Sequence, residues 1–197
     1  MVTQMPPTNS WGSRFALTKM LGHVSYSYRI ISSVDDTNVN VLSQPIGRAG
    51  EATNDIISTS NDVYIEADHP ILVALYSESR NVDSEGAPSL VLVPPISHYL
   101  TSYAFYLPPN NDWGLTLITE GNRDNIILDG NRLSDWRSLS TSSGPYMDTT
   151  SVSINSGYHE LYSSSDETFA AILSGHDTFE ACDFSLLAGQ CIYLRVL

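Results

Sequence analysis

No stretch of this 197-residue chain holds a helical period for three turns. Short runs rich in Val, Ile, Tyr, Leu, Phe and Thr recur instead from end to end, bounded by Asn, Asp, Gly and Pro. β-branched and aromatic side chains suit a pleated, half-buried surface, and the bounding residues supply turns. The pattern predicts strands at about 26–32, 38–42, 62–67, 71–77, 89–93, 99–106, 115–119, 125–128, 149–154, 158–163, 169–174 and 191–197. "VYIEA" (63–67) and "SVSIN" (151–155) alternate, which implies one solvated face. "ILVAL" (71–75) and "LVLV" (90–93) are continuously apolar, which implies cover on both sides. The nearest thing to a helix is "RLSDWRSL", 132–139. The fold class expected is all-β.

Two stretches constrain the architecture further. "EADHPILVALYSES" (66–79) and "SSSDETFAAILSGH" (163–176) each carry an acid-ended polar run into an apolar strand that closes on a serine. Upstream, "YRIISSVDDTNVNVL" and "LTLITEGNRDNIILDG" share a strand–acidic turn–strand order, and "GSRFAL" and "YLTSYAFYLP" each offer an aromatic opening strand. The offset drifts from about 87 to about 98 residues, as expected of an internal duplication with insertions in the second copy. Ile71–Ser77 should then hold the place in one half that Phe169–Ser174 holds in the other, and Tyr28–Ile31 that of Leu115–Ile118. Six or seven short strands per copy suffice for a small β-sandwich. The expected organisation is an N-terminal extension (1–10) and two tandem β-sandwich-like lobes, 11–93 and 94–197, packed together. Pro94-Pro95 forms the seam because proline cannot donate to a ladder. The alternative is one larger sandwich whose two sheets look alike.

Charge removes one class of partner. The net charge of −13 repels phosphate backbones, so nucleic acid is not an expected partner. The acids are spread singly, which reads as a solubilising surface rather than an interaction tail. No apolar run reaches membrane-spanning length, and "MVTQMPPTNSWG" lacks the basic and apolar regions of a signal peptide. Cys182 and Cys191 flank "DFSLLAGQ". A disulfide across a hairpin fits that spacing, with about 2–3 kcal/mol of stabilisation from loop closure and a mild preference for an oxidising compartment. Two buried thiols in neighbouring strands are the other reading.

Catalytic signatures are sparse. There is no G-x-S-x-G elbow, and "SGHD" (174–177) reads as a turn at a strand end. "HELYS" begins like a zinc motif but lacks a histidine four residues after His159. "DDTN" (35–38), "RDN" (123–125) and "LDGNRLSD" (128–135) gather carboxylates on loops as calcium sites do, yet none matches a calcium loop and Asp129-Gly130 is a hairpin signal. No cofactor is therefore expected, with calcium the one candidate. Eleven tyrosines cluster in "HVSYSYR", "SHYLTSYAFY" and "GYHELY". Such residues cover cores, and they also build recognition surfaces. Tyr99 and Tyr103 share parity and are placed on one face of a strand. Together with Trp136 and Tyr146 of the 134–148 insertion they form the expected binding surface. The loops 46–55 and 79–89 are further candidate contacts.

The order of "SWGSRFAL", "YRIISSVDDTNVNVL", "IEADHPILVALYS", "SLVLVPPISHYLTSYAFYLP", "IILDG", "SINSGYHELYSS" and "FAAILSGH" resembles the N-terminal domain family of the IgG Fc-binding protein. The resemblance spans about residues 10–190, and the double proline followed by an aromatic strand is its most specific stretch. It implies an extracellular or cell-surface module that binds or adheres to a protein or glycan, without catalytic residues. "CDFSLLAGQC" departs from the tyrosine- and proline-rich turn of the mucus protein. Two other readings stay open: a carbohydrate-active enzyme, which needs paired carboxylates in a cleft, and a structural unit that associates with its own copies.

Overall fold

The computed structural model describes residues 5–53, 57–78, 88–109, 111–139, 144–177 and 183–187. Among them no α-helix forms, and every strand pairing is antiparallel. The strands are β1 (Gly12–Leu17), β2 (Tyr26–Ser32), β3 (Ile57–Thr59), β4 (Val63–Ser77), β5 (Leu90–Val93), β6 (Ser102–Leu107) and β7 (Asn111–Thr119). They continue with β8 (Ile126–Leu128), β9 (Asn131–Arg132), β10 (Arg137–Ser138), β11 (Asp148–Ile154), β12 (Gly157–Ser163), β13 (Phe169–Asp177) and β14 (Asp183–Leu187). The chain is all-β, as the spacing of apolar runs implies.

Three sheets result. The first has the order β1-β4-β2-β3 with β5 also on β4; the second is β10-β11-β7-β13-β14; the third is β6-β12-β8-β9. β1 to β5 pair only with one another, and so do β6 to β14. Where the strand pattern fails, a local cause is visible. The stretch 38–42 makes a single bridge, Val39 to Ala67, flanked by the bonds Asn40 N–H to Glu66 O and Asp68 N–H to Asn38 O, and then turns through Leu42 N–H to Val39 O. "RLSDWRSL" is extended and contributes β9 and β10, not a helix. "SGHD" is not a turn: β13 runs through it to Asp177, which pairs with Asn111.

Both halves use the same register. Tyr28 faces Leu75, Ile30 faces Val73 and Ile31 faces Leu72. In the second half Leu115 faces Leu173, Leu117 faces Ala171 and Ile118 faces Ala170. The opening strands repeat this: Phe15–Ile65 and Leu17–Val63 in one half, Phe105–His159 and Leu107–Gly157 in the other. Even a backbone exchange recurs. Asn40 N–H donates to Glu66 O at 2.9 Å and Glu66 N–H to Asn40 Oδ1 at 2.9 Å; Asp129 and Glu160 make the same two bonds at the same distances. The closing serines do not correspond, because Ser77 stands opposite Tyr26 whereas Ser174 stands opposite Gly114, one step further in.

Apolar residues gather in three clusters. Phe15, Tyr26, Ile30, Ile65, Val73, Leu75, Val91 and Val93 of the first sheet fill the first, joined by Ile172 of β13 from the second. Tyr103, Leu107, Leu115, Leu117, Leu161, Phe169 and Leu173 fill the second, between the second and third sheets. The third joins the halves: Ala16 and Tyr64 from the first sheet meet Ile118 and Ala170 from the second, with Ile96, Tyr99, Leu139 and Met147 around them. Two glycines permit close approach here. A Cβ on Gly12 would fall 2.2 Å from Pro95 Cβ, so the seam proline lies directly on β1. Gly144, at φ +117, lies against the Tyr64 ring.

Candidate binding surface

A strand shows alternate side chains to opposite faces, and β6 and β12 do so strictly. In β6, Tyr103 and Leu107 point into the second core while Ser102, Ala104 and Tyr106 point out; in β12, His159 and Leu161 point in while Tyr158, Glu160 and Tyr162 point out. Tyr106 and Tyr158 are directly opposite partners, and Ser102 stands opposite Tyr162. Tyr106 is 67% exposed, Tyr158 61% and Tyr162 38%. The third sheet therefore turns a row of tyrosines toward solvent on a rigid two-strand platform. Tyr158 OH donates to Glu160 Oε1 at 2.8 Å, which fixes the ring and raises its phenol above the ordinary value.

The platform is anchored from below. His159 is buried, with Nδ1 2.7 Å from Asp129 Oδ2 and Nε2 2.8 Å from the Asn155 carbonyl. Asp129 and Gly130 form the two-residue turn between β8 and β9, both at positive φ, as the hairpin signal requires. Burial pushes the Asp129 carboxyl up, but the bonds from His159 and the Glu160 N–H outweigh it and hold the group below its usual range. This carboxylate is thus committed to the protein, and Asp35 is likewise taken by the Ala49 N–H at 2.8 Å.

The residues expected to form the binding surface are scattered. Tyr99 and Tyr103 belong to the interior, at 5% and 9% exposure, and this corrects their placement on a surface. Tyr99 precedes β6, follows the short 3-10 turn Ile96–His98 and enters the cluster between the halves; its hydroxyl has no hydrogen-bond partner. Tyr103 donates to Phe169 O at 2.6 Å, and burial pushes its phenol up to about 12, against a lowering bond from Leu100. Trp136 packs half-buried on the second core with its indole nitrogen unpartnered. Tyr146 alone of the four is open, at 71% exposure, its hydroxyl 2.7 Å from Ser138 Oγ. Cys182 and Cys191 lie outside the described residues, as does most of loop 79–89. The tyrosines that do form a face were present in "SYAFY" and "GYHELY"; choosing the other parity of β6 would have found them.

A concavity of about 730 Å³ opens where the β1–β2 turn (Leu21, Gly22, His23) meets the ends of β7, β11 and β13. Its wall is polar, with Asn111, Asp112, Ser153, Asn155 and Ser174. At its edge Trp113 is held by an indole bond to Pro108 O at 3.0 Å. Trp11 makes the same bond to Pro6 O at 3.0 Å, within the matching pattern Pro-Pro-x-Asn-x-Trp-Gly. Among the described residues there is no group of three or more His, Cys, Asp or Glu placed to hold a metal. Nor is any helix there long and apolar enough to cross a membrane.

No curated protein and no solved structure matches the chain. A family model does: that of the IgGFc binding protein, over residues 1–175. The motif order, the all-β fold and a match over nearly the whole chain agree, and the chain belongs to the IgGFc binding protein family.

Proposed function

We propose that this chain is an extracellular, non-catalytic binding or adhesion module. In this reading it consists of two duplicated lobes, 11–93 and 94–197, and engages a protein surface through Tyr106, Tyr158 and Tyr162. The observation that carries it is the directly paired, solvent-facing Tyr106 and Tyr158. Tyrosine presents a large rigid area at low entropic cost and is enriched where binding energy concentrates. The family's name, which records binding to IgG Fc, favours a protein as the ligand class. Tyrosine faces also stack on sugars, so a glycan surface is the second reading. The shared register of the two halves supports the duplication, and the separate strand pairing of β1–β5 and β6–β14 supports the two lobes.

The test is a protein and glycan binding array at two ionic strengths, run beside a generic hydrolase panel. With a net charge of −13, binding should favour basic partners and weaken as salt rises. Replacing Tyr106 and Tyr158 together by Ala should weaken the best ligand about tenfold or more while leaving the fold intact. Undiminished binding by that variant would sink the tyrosine face as the site. Hydrolysis abolished by replacing one carboxylate would overturn the non-catalytic reading.

A further inference from the structure

β6 is the outermost strand of the third sheet, with β12 on one side and no described strand on the other. An open edge offers unpaired N–H and C=O groups to any other extended chain, and proteins usually blunt it with charge, proline or a bulge. β6 has none of these. Its six residues, Ser-Tyr-Ala-Phe-Tyr-Leu, pair with β12 in unbroken register from Ser102–Tyr162 to Leu107–Gly157. The charge pattern makes the edge more distinctive. Residues 86–111 contain no Asp, Glu, Lys or Arg, and no other stretch of the chain stays free of them for so long. On a molecule of net charge −13, this is where a second copy meets the least like-charge repulsion.

We propose that two copies of this chain pair edge to edge through β6, antiparallel about a two-fold axis at Ala104. The third sheets then join into one eight-stranded sheet. In that register each copy's Ser102 faces the other's Tyr106, Tyr103 faces Phe105, and the two small Ala104 side chains meet on the axis. The strand is complementary to itself, as an isologous contact demands. Glu160 lies opposite Ala104 on β12, so the two Glu160 carboxylates stand three strand spacings apart. That is about 14 Å, beyond a Debye length of about 8 Å. The joined sheet carries Tyr106, Tyr158 and Tyr162 twice on one continuous face, so each copy completes the other's binding surface. The pairing itself does not depend on what that surface binds.

Sedimentation of the full chain over a micromolar-to-millimolar series tests this. Wild type should pass reversibly from monomer to dimer, and added salt should strengthen the dimer by screening the net charge, the opposite sign to that expected for a basic ligand. Ala104→Lys, which sets two like charges on the axis at an exposed position, should weaken the dimer about tenfold or more. Ser153→Lys, at an exposed position of β11, should leave it unchanged. Amide exchange at 102–107 should slow with concentration in wild type, a readout that stands even if Ala104→Lys fails to fold. A wild type monomeric throughout, whether or not it captures a foreign peptide on β6, overturns the proposal. So does a dimer that survives Ala104→Lys, or exchange at 102–107 indifferent to concentration.

Discussion

Two tyrosines four residues apart show how little residue type decides by itself. Tyr99 and Tyr103 are both buried, yet Tyr103 donates to Phe169 O while the Tyr99 hydroxyl has no partner. An unmet buried hydroxyl costs free energy, and a made bond returns about 1 kcal/mol. Opposite signs follow for one chemical change. Tyr99→Phe should stabilise by about 1 kcal/mol, and Tyr103→Phe should destabilise by a similar amount, since it removes a buried bond and leaves the Phe169 carbonyl only the longer one from the Leu100 N–H at 3.2 Å. Denaturant midpoints at unchanged slope would measure both, and equal signs would contradict the hydrogen-bond assignment. The parity of Tyr103 was legible in the chain but its direction was not, and Tyr99 precedes β6 and enters another cluster, so the expected common face does not form. Parity says which residues share a face, and only the packing of β6 on the second core says which face is wet.

At the level of elements, the apolar runs placed β2, β5, β8, β11 and β12 within a residue, because burial on a sheet face selects the same residues that propensity favours. They missed one end of β6, β7 and β13 by three or four. The break expected at Asp68-His69-Pro70 did not materialise: β4 continues through it for 15 residues. β1 pairs with Glu66 and again with Ile71, skipping the residues between, so Pro70 sits at an irregularity where no ladder donor is missed. Its carbonyl instead accepts from Ser33 N–H at 3.1 Å. In the second half the matching stretch does end a strand, and β12 and β13 go to different sheets. The short β9 and β10 gave no sequence signal, since two-residue strands have no period to read. The anchoring of β12 by Asp129 predicts an acid limb. Its carboxyl is held below the ordinary range, so the stability it contributes is present above the unfolded value near 4 and is lost as pH falls through the lowered folded value. Asp129→Asn should flatten the fall of melting temperature between about pH 5 and pH 2 and cost about 1 kcal/mol at neutral pH. An unchanged pH profile would deny the carboxylate that role.

Across the whole molecule, the halves exchange no strands yet share a dry cluster and two ion pairs, Arg14–Glu120 at 4.0 Å and the closer Arg137–Asp62 clamp. Arg137 of β10 donates through Nη2 to Asp62 Oδ1 at 2.9 Å and to Thr18 Oγ1 at 2.8 Å, and through Nη1 to Asp62 Oδ2. Asp62 has only 6% of its side chain exposed, so losing the guanidinium removes the counter-ion of a nearly buried charge that also accepts from the Thr18 hydroxyl at 2.7 Å. Arg137→Ala should cost about 1–3 kcal/mol, and calorimetry should show one transition in wild type broadening or splitting in the variant. A single transition at an unmoved temperature would mean the clamp does not couple the halves. Nothing in the sequence paired residue 137 with 62, because such contacts are set by how two finished surfaces meet. The Gly12–Pro95 contact has a practical meaning of its own. The strands on either side of this seam pair within their own side, and the prolines add shape rather than ladder bonds. The covalent link at that point serves mainly to keep two matched surfaces near each other. A chain cut there could be supplied as two genes, with Gly12 as the socket and Pro95 as the plug, and reassembly of the pieces would report that their hosts had met.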